Sequence, residues 1–177
     1  MLPMFFEATF TMSATSAGMI AASFAFVNLF ARPLGGYISD HMTNRKRTMI
    51  IYMVGIALGF FGMSLIAQRA ADGTLIPMFE ETWWLVVAVG MTISCSMFVQ
   101  GAEGATFAII PMIHKPQTGQ IAGMAGAYGN VGAVCYLVLY SLVDSKTFFF
   151  WLAVGATASV IYCMAFLKEP KGAFADE

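Results

Sequence analysis

Three polar residues stand inside apolar stretches where lipid would be the natural surroundings. They are Arg32 in "NLFARPLGG", Glu103 in "AEGATFAIIP" and Asn130 in "GMAGAYGNVG". A guanidinium can hold a planar oxyanion through two parallel charge-assisted hydrogen bonds. An amide can orient such an ion without adding charge, and a carboxylate can neutralise the guanidinium beside it. The rise of a helix sets how deep each group lies. Arg32 precedes Asp40 by eight residues, ~12 Å; Glu103 precedes Ile113 by ten, ~15 Å; Asn130 follows Gly119 by eleven, ~17 Å. All three therefore fall in one layer near the middle of a bilayer.

Each has a plainer reading. The stem of Arg32 can snorkel its charge toward the headgroups, although ~12 Å is more than one side chain easily covers. Glu103 can be a structural ion pair, or a protonated and hydrogen-bonded carboxyl, instead of a group that acts in transport. Around Asn130 the chain repeats glycine at Gly123, Gly126, Gly129 and Gly132, although Gly in a helix interior costs about 0.5–1 kcal/mol relative to Ala. At 100° per residue, Gly123 lies about 20° and Gly126 about 40° from the direction of Asn130, so one stripe is bare around a single amide. Close packing of membrane helices would explain the glycines. It would not explain the amide, which needs a partner in lipid.

The elements that must carry these groups follow from composition. The chain of 177 residues is 59% hydrophobic and 11% charged, with a formal net charge of −1. Soluble domains carry about 25% charged residues, so this is an integral membrane protein, and apolar runs long enough for spanning helices make it all-α. Five apolar segments reach the spanning length of about 20 residues: about 13–37, 49–67, 82–113, 119–143 and 147–167. The third is long enough to tilt or to run beyond the lipid. Residues 1–12 read as the end of a preceding helix and an external loop, and 168–177 as a cytoplasmic tail.

No basic block points to nucleic acid. No metal-ligand spacing, phosphate loop or nucleophile motif points to an enzyme, a metal or a cofactor. Cys95, Cys135 and Cys163 read as small buried packing residues, and His41 and His114 are too far apart in sequence to suggest a shared site. One side of the membrane would carry Arg45, Lys46, Arg47, Lys115, Lys168 and Lys171, the other only Arg69 and Lys146. That asymmetry puts the C-terminus in the cytoplasm and the N-terminus outside.

"GGYISDHMTNRKR" resembles the loop motif of the major facilitator superfamily, with Gly36, Asp40 and the cluster Arg45, Lys46 and Arg47 forming a cytoplasmic gate. With "NLFARPLGG", "AEGATFAIIP" and "GMAGAYGNVGA", the chain is similar over nearly its whole length to the nitrate/nitrite porter family. The resemblance implies a fold: the C-terminal half of a twelve-helix transporter, with five transmembrane helices (eight to twelve) plus the end of a sixth, and the N-terminal half missing from this sequence. It also implies that Arg32 is the anion-binding arginine of helix eight and that Asn130 is the signature asparagine lining the path. Gly123, Gly126, Gly129 and Gly132 are by the same resemblance the signature glycines that let helices slide closely. Ala133 replaces a glycine that many members carry.

The expected function is nitrate or nitrite transport by alternating access, in the plasma membrane and specifically a bacterial inner membrane. The expected partners are the anion, the lipid bilayer and the missing half, on the same or another chain. Two other readings stand beside it: a carrier of a different small anion, and a non-transporting anchoring or assembly subunit. Pro33, next to Arg32, removes a backbone donor and gives helix eight a place to bend.

Overall fold

The apolar runs fold into helices because a bilayer leaves the backbone no partner but itself. A computed structural model describes residues 2–42 and 44–168. The expectations that rest on Met1, on Lys171 and on the tail beyond Lys168 lie outside the described residues.

A short helix α1 (Leu2–Phe10) leads into α2 (Ala14–His41), whose N-cap Ser13 accepts from the Ser16 amide. Next comes α3 (Arg45–Ile66), capped by Asn44, whose side-chain oxygen accepts from the Arg47 amide at 2.7 Å. Helix α4 (Thr82–Ile113) is the longest, and a single 3-10 turn at Lys115–Gln117 joins it to α5 (Thr118–Leu142). The last, α6 (Ser145–Phe166), is capped by Asp144, which accepts from the Thr147 amide at 2.8 Å. Five of these helices, all but α1, are long and apolar enough to cross a membrane.

Two helices run past the apolar limits read from the sequence: α2 continues from Tyr37 to His41, and α3 begins at Arg45 and not near Met49. Hydropathy marks where lipid ends, whereas a helix ends where its backbone groups find caps. The connection from α3 to α4 holds a small antiparallel hairpin, β1 (Ala67–Arg69) with β2 (Leu75–Pro77), in register Gln68 opposite Ile76. Its turn places Gly73 at φ +86°, a conformation that needs no Cβ. The Thr74 hydroxyl and amide both donate to Asp72 and hold its carboxyl below the usual range.

Helix α4 sits at the centre. It packs closely on α2 and α3, and α3 packs in turn on α6. At the hairpin end, Phe5, Phe6, Phe24, Met63, Ile66, Phe148 and Phe149 bury one another, with Phe5 edge-on to Phe149 at 5.2 Å. The far end has a smaller cluster of Met49, Ala105, Ile109 and Cys163. Helix α5 differs from its neighbours: none of its residues is buried, and it touches α4 and α6 only lightly. Cys135, expected inside, is accordingly exposed on α5, while Cys95 and Cys163 are buried.

Candidate functional site

The seam between α2 and α4 is built from residues that shrink and residues that pair. Gly35 meets the backbone of Gly101, and Gly104 meets the carbonyl of Arg32, each so closely that a Cβ on Gly35 or Gly104 would collide. Only glycines let two backbones approach this far. The polar side chains beside them are then brought within reach. The Ser96 hydroxyl donates to the Asn28 side-chain oxygen at 2.5 Å, and four residues along each helix the Arg32 Nε donates to Gln100 Oε1 at 3.3 Å. The Arg32 Nη2 completes the run with an ion pair to Glu103 Oε2 at 2.5 Å. Residues three and four apart share a helix face, so these contacts form one ladder.

Arg32 is thus held against α4 and is not buried in apolar packing. Its side chain is 53% accessible and that of Glu103 37%, and Nη1 has no protein partner among the described residues. The structure therefore brings Arg32 and Glu103 together, as their shared depth suggests. Sequence reasoning missed Asn28, Ser96 and Gln100. The signal was present in the four-residue steps Asn28–Arg32 and Ser96–Gln100, but neutral polar residues in a span raise no electrostatic alarm. Helix α2 continues through Pro33 despite the lost backbone donor.

Asn130 is not brought against Arg32. It is exposed on α5, and its amide has no hydrogen-bond partner among the described residues. A Cβ built on Gly123, Gly126, Gly129 or Gly132 would meet nothing within 4 Å. Among the described residues those glycines serve no close packing, whereas Gly35, Gly101 and Gly104 do. The bare stripe around Asn130 faces open space.

The residues expected to form a gate lie at the end of the bundle opposite the hairpin. Arg45, 3% exposed, pairs through Nη2 with Asp40 Oδ1 at 2.7 Å and donates from Nη1 to the Ala108 carbonyl at 3.3 Å. It therefore joins α2, α3 and α4. The Lys46 Nζ donates to the Met164 carbonyl at 3.0 Å, in the last turn of α6, where a cation suits the free carbonyls of a helix end. Gly36 lies on the α2 face toward Gly104, and the Arg47 backbone amide serves the Asn44 cap. At the hairpin end, Arg69 pairs with Asp144, which ties the hairpin to the cap of α6.

Residues 1–175 match the profile of the Major Facilitator Superfamily. A "Nitrate/nitrite transporter NrtP" of Picosynechococcus sp. is 44% identical over 192 residues, covering 99% of this chain and 34% of the relative. The protein of the same name from Nostoc punctiforme is 45% identical over 175 residues, covering 99% and 32%. A "High affinity nitrate transporter 2.5" of Arabidopsis thaliana is 34% identical over 136 residues, covering 77% and 25%. The chain spans about a third of the length of the first two relatives. No solved structure matches it.

Proposed function

This chain belongs to the major facilitator superfamily, a family of membrane transporters and not of enzymes, and we propose that it serves nitrate or nitrite transport. It would do so as the part of a transporter that carries the last five spanning helices. The observation that carries the reading is Arg32: a guanidinium deep in a span, fixed by Gln100 and Glu103, with its Nη1 nitrogen unengaged by the described residues. Nitrate is planar and singly charged, and a guanidinium edge offers it two parallel donors. A lysine would offer a strongly hydrated point charge.

Asn130, with a free amide on a stripe of small residues, lines the path of the ion and adds orientation without charge. The exposed faces of α2 and α5 meet a second set of helices, on the same or a separate chain. Rocking of the two sets would open the site to each side in turn. On this reading the membrane is a bacterial inner membrane, and loop charge supports an orientation with the Arg45 end in the cytoplasm. There the contacts of Arg45 with Asp40 and of Lys46 with Met164 close the gate.

Cells without nitrate uptake of their own test this. Expressing the full-length transporter, they are expected to accumulate labelled nitrate, with unlabelled nitrite competing and acetate not. Equal competition by acetate would favour a carrier of other small anions. Absence of uptake, with no protection of the purified protein against heat by nitrate, would favour an anchoring subunit.

A further inference from the structure

Arg32 does not stand alone: its Nη2 is held by Glu103 and its Nε by Gln100, both from α4. Nε and Nη2 form one edge of the guanidinium, so these two residues fill that edge and leave the other edge, Nη1 with the outer hydrogen of Nη2, to a ligand. We infer that Glu103 is the positioning and specificity-setting residue of the anion site, holding Arg32 in place while offsetting its charge so that singly charged anions bind and doubly charged ones do not. The inference rests on the reading of Arg32 as the anion-binding group.

The physical argument compares two scalings. Attraction of an ion to the Arg32–Glu103 pair grows in proportion to the ion's charge. The cost of dehydrating the ion grows with the square of that charge, as for any ion moved from water to a less polar site. A bare guanidinium would attract a dianion twice as strongly as a monoanion and so offset more of its dehydration than a neutralised one can. A guanidinium already paired with a carboxylate attracts weakly, and the quadratic cost then excludes the dianion. Weak attraction also suits transport, since an ion held too tightly does not leave. Among the described residues of this chain no other charged group lies beside the pair: the other charges on α2 and α3 lie at the Arg45 end, and α5 has none. A cation supplied by further helices would make the offset by Glu103 matter more, not less.

The test uses the full-length transporter in cells lacking their own nitrate uptake. Glu103→Gln keeps a hydrogen-bonding group beside Arg32 and removes the charge. It is expected to lower the half-saturating nitrate concentration by about tenfold, to slow the maximal rate, and to let sulfate compete with nitrate where it does not in the wild type. Gln100→Glu adds a second carboxylate on the filled edge and is expected to raise the half-saturating concentration, with sulfate still excluded. A merely structural Glu103 would not change which anions compete. Glu103→Gln at wild-type abundance with wild-type affinity and no sulfate competition would overturn the inference. Where Glu103→Gln fails to reach the membrane, an unchanged half-saturating concentration in Gln100→Glu would overturn it as well. Retained uptake in Arg32→Lys would instead remove the anion site itself, so the two failures are distinguishable.

Discussion

At the scale of single residues, the chain concentrates its polar chemistry on two helices. Arg32 is oriented by two different acceptors, and this matters because a guanidinium held on one edge presents the other in a fixed plane. Asn130 carries an amide that no described side chain or backbone group satisfies. An amide left unpaired in a membrane is costly, so it needs a ligand or a partner helix. Asn130→Ala is therefore expected to leave the amount of protein in the membrane unchanged. Nitrate uptake below saturation should fall by about three- to tenfold, the loss of one ordinary hydrogen bond. Quantitative blotting of membranes beside uptake assays would check this, and equal uptake per molecule would remove Asn130 from the path.

At the scale of elements, the glycines separate into two groups with opposite consequences. Gly104 faces the Arg32 carbonyl with no room for a methyl group, whereas Gly126 faces open space. Gly104→Ala is expected to push α4 from α2, at a cost of about 1–3 kcal/mol, and to break the Arg32–Glu103 geometry with it. Gly126→Ala is expected to fold as the wild type does, and to slow transport where the small stripe borders the path. Thermal unfolding in detergent and uptake rates read the two effects apart. The sequence made the five apolar runs legible, because a bilayer demands length and hydropathy. It also put Arg32 and Glu103 at one depth, because helical rise is fixed. It did not reveal which glycines make contact: the run Gly123 to Gly132 advertises close packing by its repetition, while Gly35, Gly101 and Gly104 are scattered over two distant helices. Spacing along one helix cannot report the partner across it. The hairpin was hidden for a related reason, since three-residue strands carry too few alternating positions to read.

At the scale of the whole molecule, α2, α3, α4 and α6 pack as a row, and α5 rests lightly against it with no buried residue. A helix so loosely seated, bearing an unpaired amide, fits a surface completed by further helices and able to shift against them. The bias of Lys and Arg toward the Arg45 end supports the proposed topology, with that end in the cytoplasm. A cysteine replacing Asp72 is expected to react with an impermeant maleimide on intact cells, and one replacing Lys115 only after permeabilisation; the reverse pattern would invert the topology. The central claim, that the Arg32 guanidinium is half of an anion cradle, is tested most directly by labelled nitrate uptake in Arg32→Lys at matched membrane abundance. Losing one charge-assisted hydrogen bond costs about 1.5–3 kcal/mol, so uptake below saturation should fall by about ten- to a hundredfold. Uptake equal to the wild type would contradict the account.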